Sequence, residues 1–178
     1  MILITGGQRS GKSEEAERLA LSLSPAPVYL ATAQVLDEEM RRRVALHQQR
    51  RGRQWTNIEE PLHLSRYNLT GRVVLIDCLT LWLTNLLCAQ ADPCADGVVE
   101  QVLQQAKEEF DRLTAQEATF IVVSNEIGMG GVSENRLQRR FTDLQGWMNQ
   151  YVAQRADEVR LMVSGIAVQI KKTVDDGL

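Results

Sequence analysis

Residues 6–13, Gly6-Gly7-Gln8-Arg9-Ser10-Gly11-Lys12-Ser13, fit the pattern G-x-x-x-x-G-K-[ST] of a phosphate-binding loop. The apolar run Ile2–Ile4 before them is typical of a buried parallel strand. The apolar residues after them recur at helical spacing, at Ala16, Leu19, Ala20 and Leu23. A strand, a glycine loop and a helix in this order aim backbone N–H groups at one point, at the positive end of the helix dipole. The segment therefore predicts a nucleotide site in which Lys12 binds the β and γ phosphates and the Ser13 hydroxyl ligates Mg²⁺. The alternative is an ordinary glycine turn before a helix.

Strand-like and helix-like patterns alternate along the rest of the chain. Strands are predicted at residues 28–32, 73–77 and 120–124, and helices at 36–50, 79–87 and 99–113. Residues 55–60 are expected to be irregular or extended, 89–97 a loop, and 128–131 a flexible loop. Ser133 is predicted to cap a last helix whose apolar face comprises Leu137, Phe141, Leu144, Met148, Tyr151 and Val152. Residues 159–163 and 166–170 flank Ser164-Gly165 and predict a C-terminal hairpin.

This alternation indicates an α/β fold with a mainly parallel sheet flanked by helices. We expect one catalytic domain over residues 1–172 and a frayed tail over residues 173–178. The formal net charge of −3 argues against a general nucleic-acid binder, and no apolar run has the length of a membrane span. The three cysteines form no C-x-x-C pair, and no secretory signal precedes the first strand. A cytoplasmic protein with reduced thiols is expected.

Four polar residues lie at or just past the ends of predicted strands: Lys12, Thr32, Asp77 and Glu126. Ligands of parallel sheets bind at these carboxyl ends, so the four side chains are expected to converge on one crevice. Asp77 follows four apolar residues, the usual context of a second carboxylate that holds Mg²⁺. A helix cap or a structural carboxylate is the alternative for Asp77. Glu126 is interpreted either as a residue that positions metal, water or substrate or as a structural one.

His47 is the other candidate for chemistry. It continues the apolar stripe of the predicted helix over residues 36–50, and arginines crowd it. Nearby cations suit phosphate and favour the neutral imidazole, which is the nucleophilic form. A core histidine with satisfied nitrogens and a solvated arginine face are the alternatives. His63, the only other histidine, is interpreted as structural or exposed.

Four segments carry a resemblance to a known family: ILITGGQRSGKS, YLATAQVLDEEMRRRVALHQQRR, VLIDCLTLWLTNLL and IVVSNEIGMGGVSENRLQRRFTDLQGWMNQYVAQRADEVRLMVSGIAVQIK. Together they resemble adenosylcobinamide kinase/adenosylcobinamide-phosphate guanylyltransferase, a bifunctional enzyme of cobalamin biosynthesis. The resemblance runs from residue 1 to about Lys171 and is weak over residues 61–71 and 89–98 and in the tail.

The resemblance implies a RecA-like P-loop NTPase fold, a homotrimer and two reactions. In the first, ATP or GTP phosphorylates the aminopropanol hydroxyl of adenosylcobinamide with Mg²⁺ as cofactor. In the second, GTP transfers GMP to His47, and the phosphorylated cobinamide then takes the GMP to give adenosylcobinamide-GDP. It further implies that the nucleotide is bound by Gly6, Gly7, Gln8, Arg9, Ser10, Gly11, Lys12, Ser13, Ala31, Thr32, Ala33, Gln48, Gln49, Arg50, Arg51, Glu59 and Asp77.

Two readings from other classes compete with this one. The first is a P-loop kinase of another small alcohol in which His47 is structural. The second is a RecA-like ATPase that acts on nucleic acid, against which the acidic balance and the lack of basic stripes with interleaved aromatic residues count. The sequence leaves open the preference for ATP or GTP in the first reaction, the residues that contact the corrinoid, and the repositioning of nucleotide or His47 between the reactions.

Overall fold

A seven-stranded sheet forms the centre of the computed structural model, which describes residues 1–34, 38, 41–42 and 52–173. The strand order within this part of the chain is β3-β2-β4-β5-β1-β6-β7. All neighbours are parallel except the antiparallel pair β6 and β7. The strands are β1 (Ile2–Gly6), β2 (Val28–Ala31), β3 (Thr56–Glu59), β4 (Val73–Asp77), β5 (Thr119–Val123), β6 (Glu158–Val163) and β7 (Ile166–Lys172).

Helices cover both faces of the sheet. They are α1 (Lys12–Leu23), α2 (Leu79–Cys88), α3 (Val98–Thr114) and α4 (Arg136–Arg155), with short 3₁₀ turns at Leu64–Arg66 and Gly128–Gly130. One hydrophobic cluster joins α2, α3 and α4 to alternate strand residues such as Leu3 and Val74. A smaller cluster joins α1 to residues such as Ile4 and Leu75, which point to the other face. The central strands are apolar on both sides because both of their faces are buried.

The predicted fold class is confirmed: a mainly parallel α/β sheet flanked by helices, with a phosphate loop after β1 and a hairpin at the C-terminal end. The helices predicted over residues 79–87 and 99–113 are α2 and α3. The three cysteines are free, as expected. No helix in the described part of the chain is both apolar and long enough to cross a bilayer.

The segment over residues 55–60, expected to be irregular or extended, contains the parallel strand Thr56–Glu59 at the edge of the sheet. Two other local predictions need correction. Asn135, and not Ser133, caps α4, because its side chain accepts the backbone N–H of Gln138 at 3.0 Å. Leu137 was assigned to the apolar face of this helix, but it is 40% exposed in the first turn of α4, before the helix reaches the core.

Three further predictions concern a loop, a helix that lies largely outside the described residues, and the C-terminal tail. Residues 128–131, predicted to be a flexible loop, contain the 3₁₀ turn Gly128–Gly130. The helix predicted over residues 36–50 lies largely outside the described residues; Glu38, Arg41 and Arg42 are described, helical and exposed. Thr173, assigned to the tail, donates its backbone N–H to Asp157 O at 2.7 Å.

Candidate active site

The loop between β1 and α1 has a backbone that only glycine can supply at two positions. Gly6 has a φ of +149°, and a Cβ there would lie 2.5 Å from the carbonyl oxygen of Met162. Gly11 has a φ of +96°, and its Cβ would lie 3.3 Å from the Cα of Gly165. Both conformations are costly for residues with a side chain. Strands β6 and β7 therefore close around the loop so tightly that the glycines are required.

Lys12 is held inside this loop. Its side chain is 7% exposed, and its Nζ donates to Gly7 O at 2.5 Å and to Ser10 Oγ at 3.5 Å. Burial lowers the pKa of Lys12, while the negative charge of Asp77 opposes that shift. The buried ammonium group of Lys12 has lost its hydration and has few hydrogen-bond acceptors in the protein. A bound phosphate would supply both negative charge and further acceptors. Lys12 thus lies inside the glycine loop, and its predicted role in binding phosphate stays a prediction.

Ser13 and Asp77 meet although 64 residues separate them in the sequence. The Ser13 hydroxyl donates to Asp77 Oδ2 at 3.1 Å, and the Tyr29 hydroxyl donates to the same oxygen at 2.6 Å. A hydroxyl and a half-buried carboxylate beside a phosphate loop are the ligand types that Mg²⁺ uses together with nucleotide oxygens. The donor set therefore fits a magnesium ion, and the predicted pairing of these two side chains is found.

The carboxyl ends of β2, β3 and β4 form one continuous edge. Ala31 is in register with Glu59 on one side and with Asp77 on the other. Glu59 is exposed at this edge, and Ala33 is half-buried just beyond it. Thr32 differs from them, because it is fully buried and its hydroxyl donates to Cys78 O at 2.8 Å and accepts the Cys78 N–H at 2.9 Å. Its side chain therefore ties β2 to the residue that follows β4.

Glu126 reaches the same edge from β5. Its carboxylate accepts from Thr5 Oγ1 at 2.9 Å and from Asn149 Nδ2 at 3.1 Å, and its backbone N–H donates to Gly6 O at 3.0 Å. Lys12, Thr32, Asp77 and Glu126 thus lie at one edge of the sheet, but the side chain of Thr32 is buried against Cys78 and does not join the other three in an open crevice. Asn149 is a site residue that the sequence did not indicate, because it comes from the middle of α4.

The C-terminal hairpin contacts the phosphate loop directly. The backbone N–H of Gly165, at the tip of the hairpin, donates to Ser10 O at 3.0 Å. Gly165 has a φ of +83° and Ser164 a φ of +51°, as a tight turn between two paired strands requires. Nothing in the local sequence pattern of the hairpin predicted this contact, which depends on the parallel pairing of β1 with β6.

The predicted nucleophile His47 and its neighbours Gln48, Gln49, Arg50 and Arg51 lie outside the described residues. Their roles remain predictions. His63 is exposed and precedes the 3₁₀ turn Leu64–Arg66, which agrees with its interpretation as a structural or surface residue.

Two buried carboxylates were missed by the sequence analysis, and both support turns. Glu60 accepts the backbone N–H groups of Leu62 and His63 at 3.0 and 2.9 Å. Burial alone would raise the pKa of Glu60, but these bonds and the nearby Arg66 outweigh it and hold the pKa below its ordinary value. Glu109 does the same for Ser65, whose backbone N–H it accepts at 2.7 Å. Partners fixed only by the tertiary fold leave no local pattern.

Comparison with known proteins gives a family match over almost the whole chain. The family described as cobinamide kinase / cobinamide phosphate guanyltransferase matches residues 2–170. The bifunctional adenosylcobalamin biosynthesis protein CobP of Pseudomonas aeruginosa is 44% identical over 173 residues, covering 95% of this chain and 96% of that protein. The bifunctional adenosylcobalamin biosynthesis proteins CobU of Escherichia coli and Salmonella typhimurium are 42% and 40% identical, each covering 96% of this chain and 99% of the relative.

A solved ATPase of a type III secretion system aligns with 94% of this chain and 56% of its own, at 11% identity and a TM-score of 0.49, a likeness too weak to support a conclusion. The family match and the relatives are decisive. They agree with the phosphate loop, the Ser13–Asp77 pair and the strand order that bring the site together. The chain belongs to the cobinamide kinase / cobinamide phosphate guanyltransferase family.

Proposed function

We propose that the protein catalyses two successive reactions of adenosylcobalamin biosynthesis. It phosphorylates the aminopropanol hydroxyl of adenosylcobinamide with a nucleoside triphosphate, and it then transfers GMP from GTP to give adenosylcobinamide-GDP. The observation that carries the proposal is the cluster of Lys12, Ser13 and Asp77 beside a glycine loop in a member of this family.

Phosphoryl transfer is assigned to this cluster. The backbone N–H groups of residues 6–13 and the buried Lys12 bind the phosphates of ATP or GTP. Ser13 and Asp77 would hold Mg²⁺, which supplies positive charge to the β and γ oxygens. The residues along the edge, Ala31, Ala33 and Glu59, are proposed to line the remainder of the nucleotide site, with the fully buried Thr32 supporting them from below. Positioning and charge supply most of the catalysis in this class of reaction.

Guanylyl transfer is assigned to His47, assisted by residues 48–51. An imidazole nitrogen attacks the α-phosphorus of GTP, a P–N bond forms, and pyrophosphate leaves with the electrons of the broken P–O bond. A phosphate oxygen of the phosphorylated cobinamide then attacks that phosphorus, and the P–N bond breaks. A nucleophilic side chain splits one difficult transfer into two easier ones. A phosphate loop presents the γ-phosphorus, so either the nucleotide binds differently in the second reaction or the segment bearing His47 moves.

Assembly, domain organisation and cellular compartment complete the proposal. We propose that residues 1–172 form one catalytic domain and that three copies associate. Exposed apolar residues on the hairpin, Val163, Ile166, Val168 and Ile170, support association because such surface is normally covered in a stable protein. We place the enzyme in the cytoplasm, in keeping with its free thiols and its nucleoside triphosphate substrates.

The test is incubation with α-labelled GTP and Mg²⁺, followed by denaturation. The proposal predicts covalent label that acid releases and base does not, as expected of a P–N bond. His47→Ala should lose both the label and guanylyl transfer while retaining measurable phosphorylation of adenosylcobinamide. The matched control is His63→Ala, at the other histidine, which should label normally.

Retention of the label in His47→Ala would move the nucleophile elsewhere. Absence of label from the wild-type protein, together with phosphorylation of a different small alcohol, would favour a simple P-loop kinase. Salt-dependent binding of single-stranded DNA with nucleotide hydrolysis would instead favour a nucleic-acid ATPase.

A further inference from the structure

Glu126 lies between the phosphate loop and Asp77. It follows β5, which is hydrogen-bonded to β1 on one side and to β4 on the other. Its backbone N–H donates to Gly6 O at 3.0 Å, which fixes the main chain beside the first glycine of the loop. Because β5 lies between β1 and β4, Glu126 is placed between the phosphate loop and Asp77.

Both hydrogen bonds of the Glu126 carboxylate fall on one oxygen. Oε1 accepts from Thr5 Oγ1 at 2.9 Å and from Asn149 Nδ2 at 3.1 Å. Within residues 1–34, 38, 41–42 and 52–173, no group donates a hydrogen bond to Oε2. The side chain is half-buried, so Oε2 remains able to accept a proton from a ligand. One oxygen orients the carboxylate, and the other is left for chemistry.

A buried polar cluster stands behind Oε1. Asn149 is 7% exposed, and its Oδ1 accepts from Ser124 Oγ at 2.6 Å and from Gln145 Nε2 at 2.9 Å. Ser124 and Gln145 are fully buried, and Gln145 Nε2 also donates to Ser124 Oγ at 2.9 Å. Burying such groups is unfavourable unless they bond one another. These bonds fix the amide of Asn149, and with it the rotamer of Glu126, before any substrate binds.

Glu126 is also separate from the proposed metal pair. Ser13 and Asp77 bond each other, and Tyr29 completes their contacts. The bonds of the Glu126 side chain go instead to β1 and α4, through Thr5 and Asn149. A carboxylate that is preorganised next to the phosphate loop but outside the metal pair has the placement of a proton acceptor.

We propose that Glu126 is the general base of the phosphorylation step, an inference that rests on the proposed function. The hydroxyl oxygen of the cobinamide attacks the γ-phosphorus and forms the new O–P bond. The bond from the γ-phosphorus to the bridging oxygen breaks, and its electron pair leaves with the nucleoside diphosphate. The hydroxyl proton passes to Glu126 Oε2. Thr5, Asn149, Ser124 and Gln145 act as positioning residues through Oε1.

The test compares Glu126→Gln with the wild-type protein in steady-state phosphorylation of adenosylcobinamide. The amide keeps the size and the Oε1 acceptor but cannot take the proton, so kcat should fall by about 10²–10⁴-fold. Half-saturating nucleotide and Mg²⁺ concentrations should be unchanged, and GMP labelling from GTP should persist. The matched control is Glu117→Gln, an exposed glutamate at the opposite end of β5, which should match the wild-type rate.

Wild-type kcat in Glu126→Gln would overturn the inference and leave the proposed function intact. A raised Mg²⁺ requirement with normal kcat at saturation would also overturn it, in favour of a metal role. If the wild-type protein itself failed to phosphorylate adenosylcobinamide, the proposed function would fail and this inference with it.

A second pair of variants guards against misfolding of Glu126→Gln. Thr5→Val preserves shape but removes one donor to Oε1, so kcat should fall severalfold with nucleotide binding unchanged. Thr5→Ser restores the hydroxyl and should restore kcat. If Thr5→Val lowers the melting temperature and leaves kcat unchanged, or if Thr5→Ser is no better than Thr5→Val, the carboxylate is structural.

Discussion

The phosphate-loop edge of the sheet and the adjoining C-terminal hairpin differ in which side chains they bury. At the edge, polar residues are buried and bonded: Lys12 is 7% exposed, and Thr5 is 3% exposed. On β7, apolar residues are in the open: Ile166 is 67% exposed, Val168 45% and Ile170 59%. Ile166 and Val168 lie two positions apart and point to one face, and Ile170 continues this exposed apolar stripe at the register shift between β6 and β7.

The contrast distinguishes a site that forms within a single chain from an exposed surface that is suited to contact with a second chain. The buried polar groups at the edge are hydrogen-bonded within their own chain, so they need no second chain to satisfy them. An exposed apolar stripe at the sheet edge favours contact with another surface. Changes at the edge should therefore act mainly on rates, whereas changes on the stripe should act mainly on assembly.

The largest effect is expected from Lys12→Ala. Loss of the charge that we propose faces the γ-phosphate should lower phosphorylation of adenosylcobinamide by about 10²–10³-fold, the usual contribution of such a group. Oligomer mass and far-UV circular dichroism should be unchanged. Lys107→Ala, on α3 and 4.9 Å from the ring of Tyr151, is the control for loss of a lysine. A folded Lys12→Ala protein with near-native activity would refute the assignment of the loop.

Asp77→Asn should act next most strongly. The amide can still accept from Tyr29 but carries no charge for Mg²⁺, so the metal requirement should rise by roughly 10–100-fold. The measurement is the rate of phosphorylation against Mg²⁺ concentration, with thermal unfolding as the companion. Asp143→Asn, at an exposed position of α4, provides the charge-matched control. Unchanged magnesium dependence would make Asp77 structural.

Val168→Asp tests the other half of the comparison. If the protein is the trimer proposed above, a charge in the centre of the stripe should reduce the mass measured by light scattering to that of a single chain. The melting temperature of the single chain should change little, because the side chain is already 45% exposed. Gln169→Asp places the same charge on the opposite face of β7 and should leave the mass unaltered. A trimeric Val168→Asp protein would remove the stripe from the interface.

The smallest effect is expected from Gly165→Ala. The residue has a φ of +83° with open space around it, so the methyl group costs only backbone strain, about 1 kcal/mol of unfolding free energy. Chemical denaturation would measure this loss, and nucleotide affinity would report whether the tip of the hairpin supports Ser10. Loss of stability without any change in affinity would separate the hairpin from the loop.

The sequence allowed prediction of those parts whose physical cause is local. Residues 6–13 follow a pattern that only a phosphate loop requires, and residues 73–77 are apolar enough to be a central strand with a carboxylate at its end. The edge strand Thr56–Glu59 was not assigned as a strand because it is short, mostly polar and exposed, so it has no apolar signature. Asn135 and Ser133 are both good caps, and only the path of the chain decides between them.

Sequence patterns predict contacts that follow from sheet topology, but not contacts that depend on how a helix packs. That Asp77 and Ser13 would pair could be inferred, because parallel strands bring their carboxyl ends to one edge. That Asn149 would reach Glu126 from α4, with Gln145 bonded behind it, could not be inferred, because it depends on the rotation of that helix against β5. The stripe on β7 also escaped notice, since alternating apolar residues predict a half-buried strand and say nothing about which chain buries them.

A hydrogen bond of 3.0 Å from the backbone N–H of Gly165 to Ser10 O connects the hairpin to the phosphate loop. Association of copies through the hairpin can therefore change the affinity of the loop for nucleotide. By thermodynamic linkage, nucleotide binding then changes the affinity of the copies for one another. If assembly tightens GTP binding by some factor, GTP must tighten assembly by the same factor. The apparent dissociation constant for GTP would then vary with enzyme concentration near the point of dissociation, and a constant value would show the two equilibria to be independent. In a cell that makes few copies of the enzyme, the nucleotide pool would then help to decide how many of them are assembled.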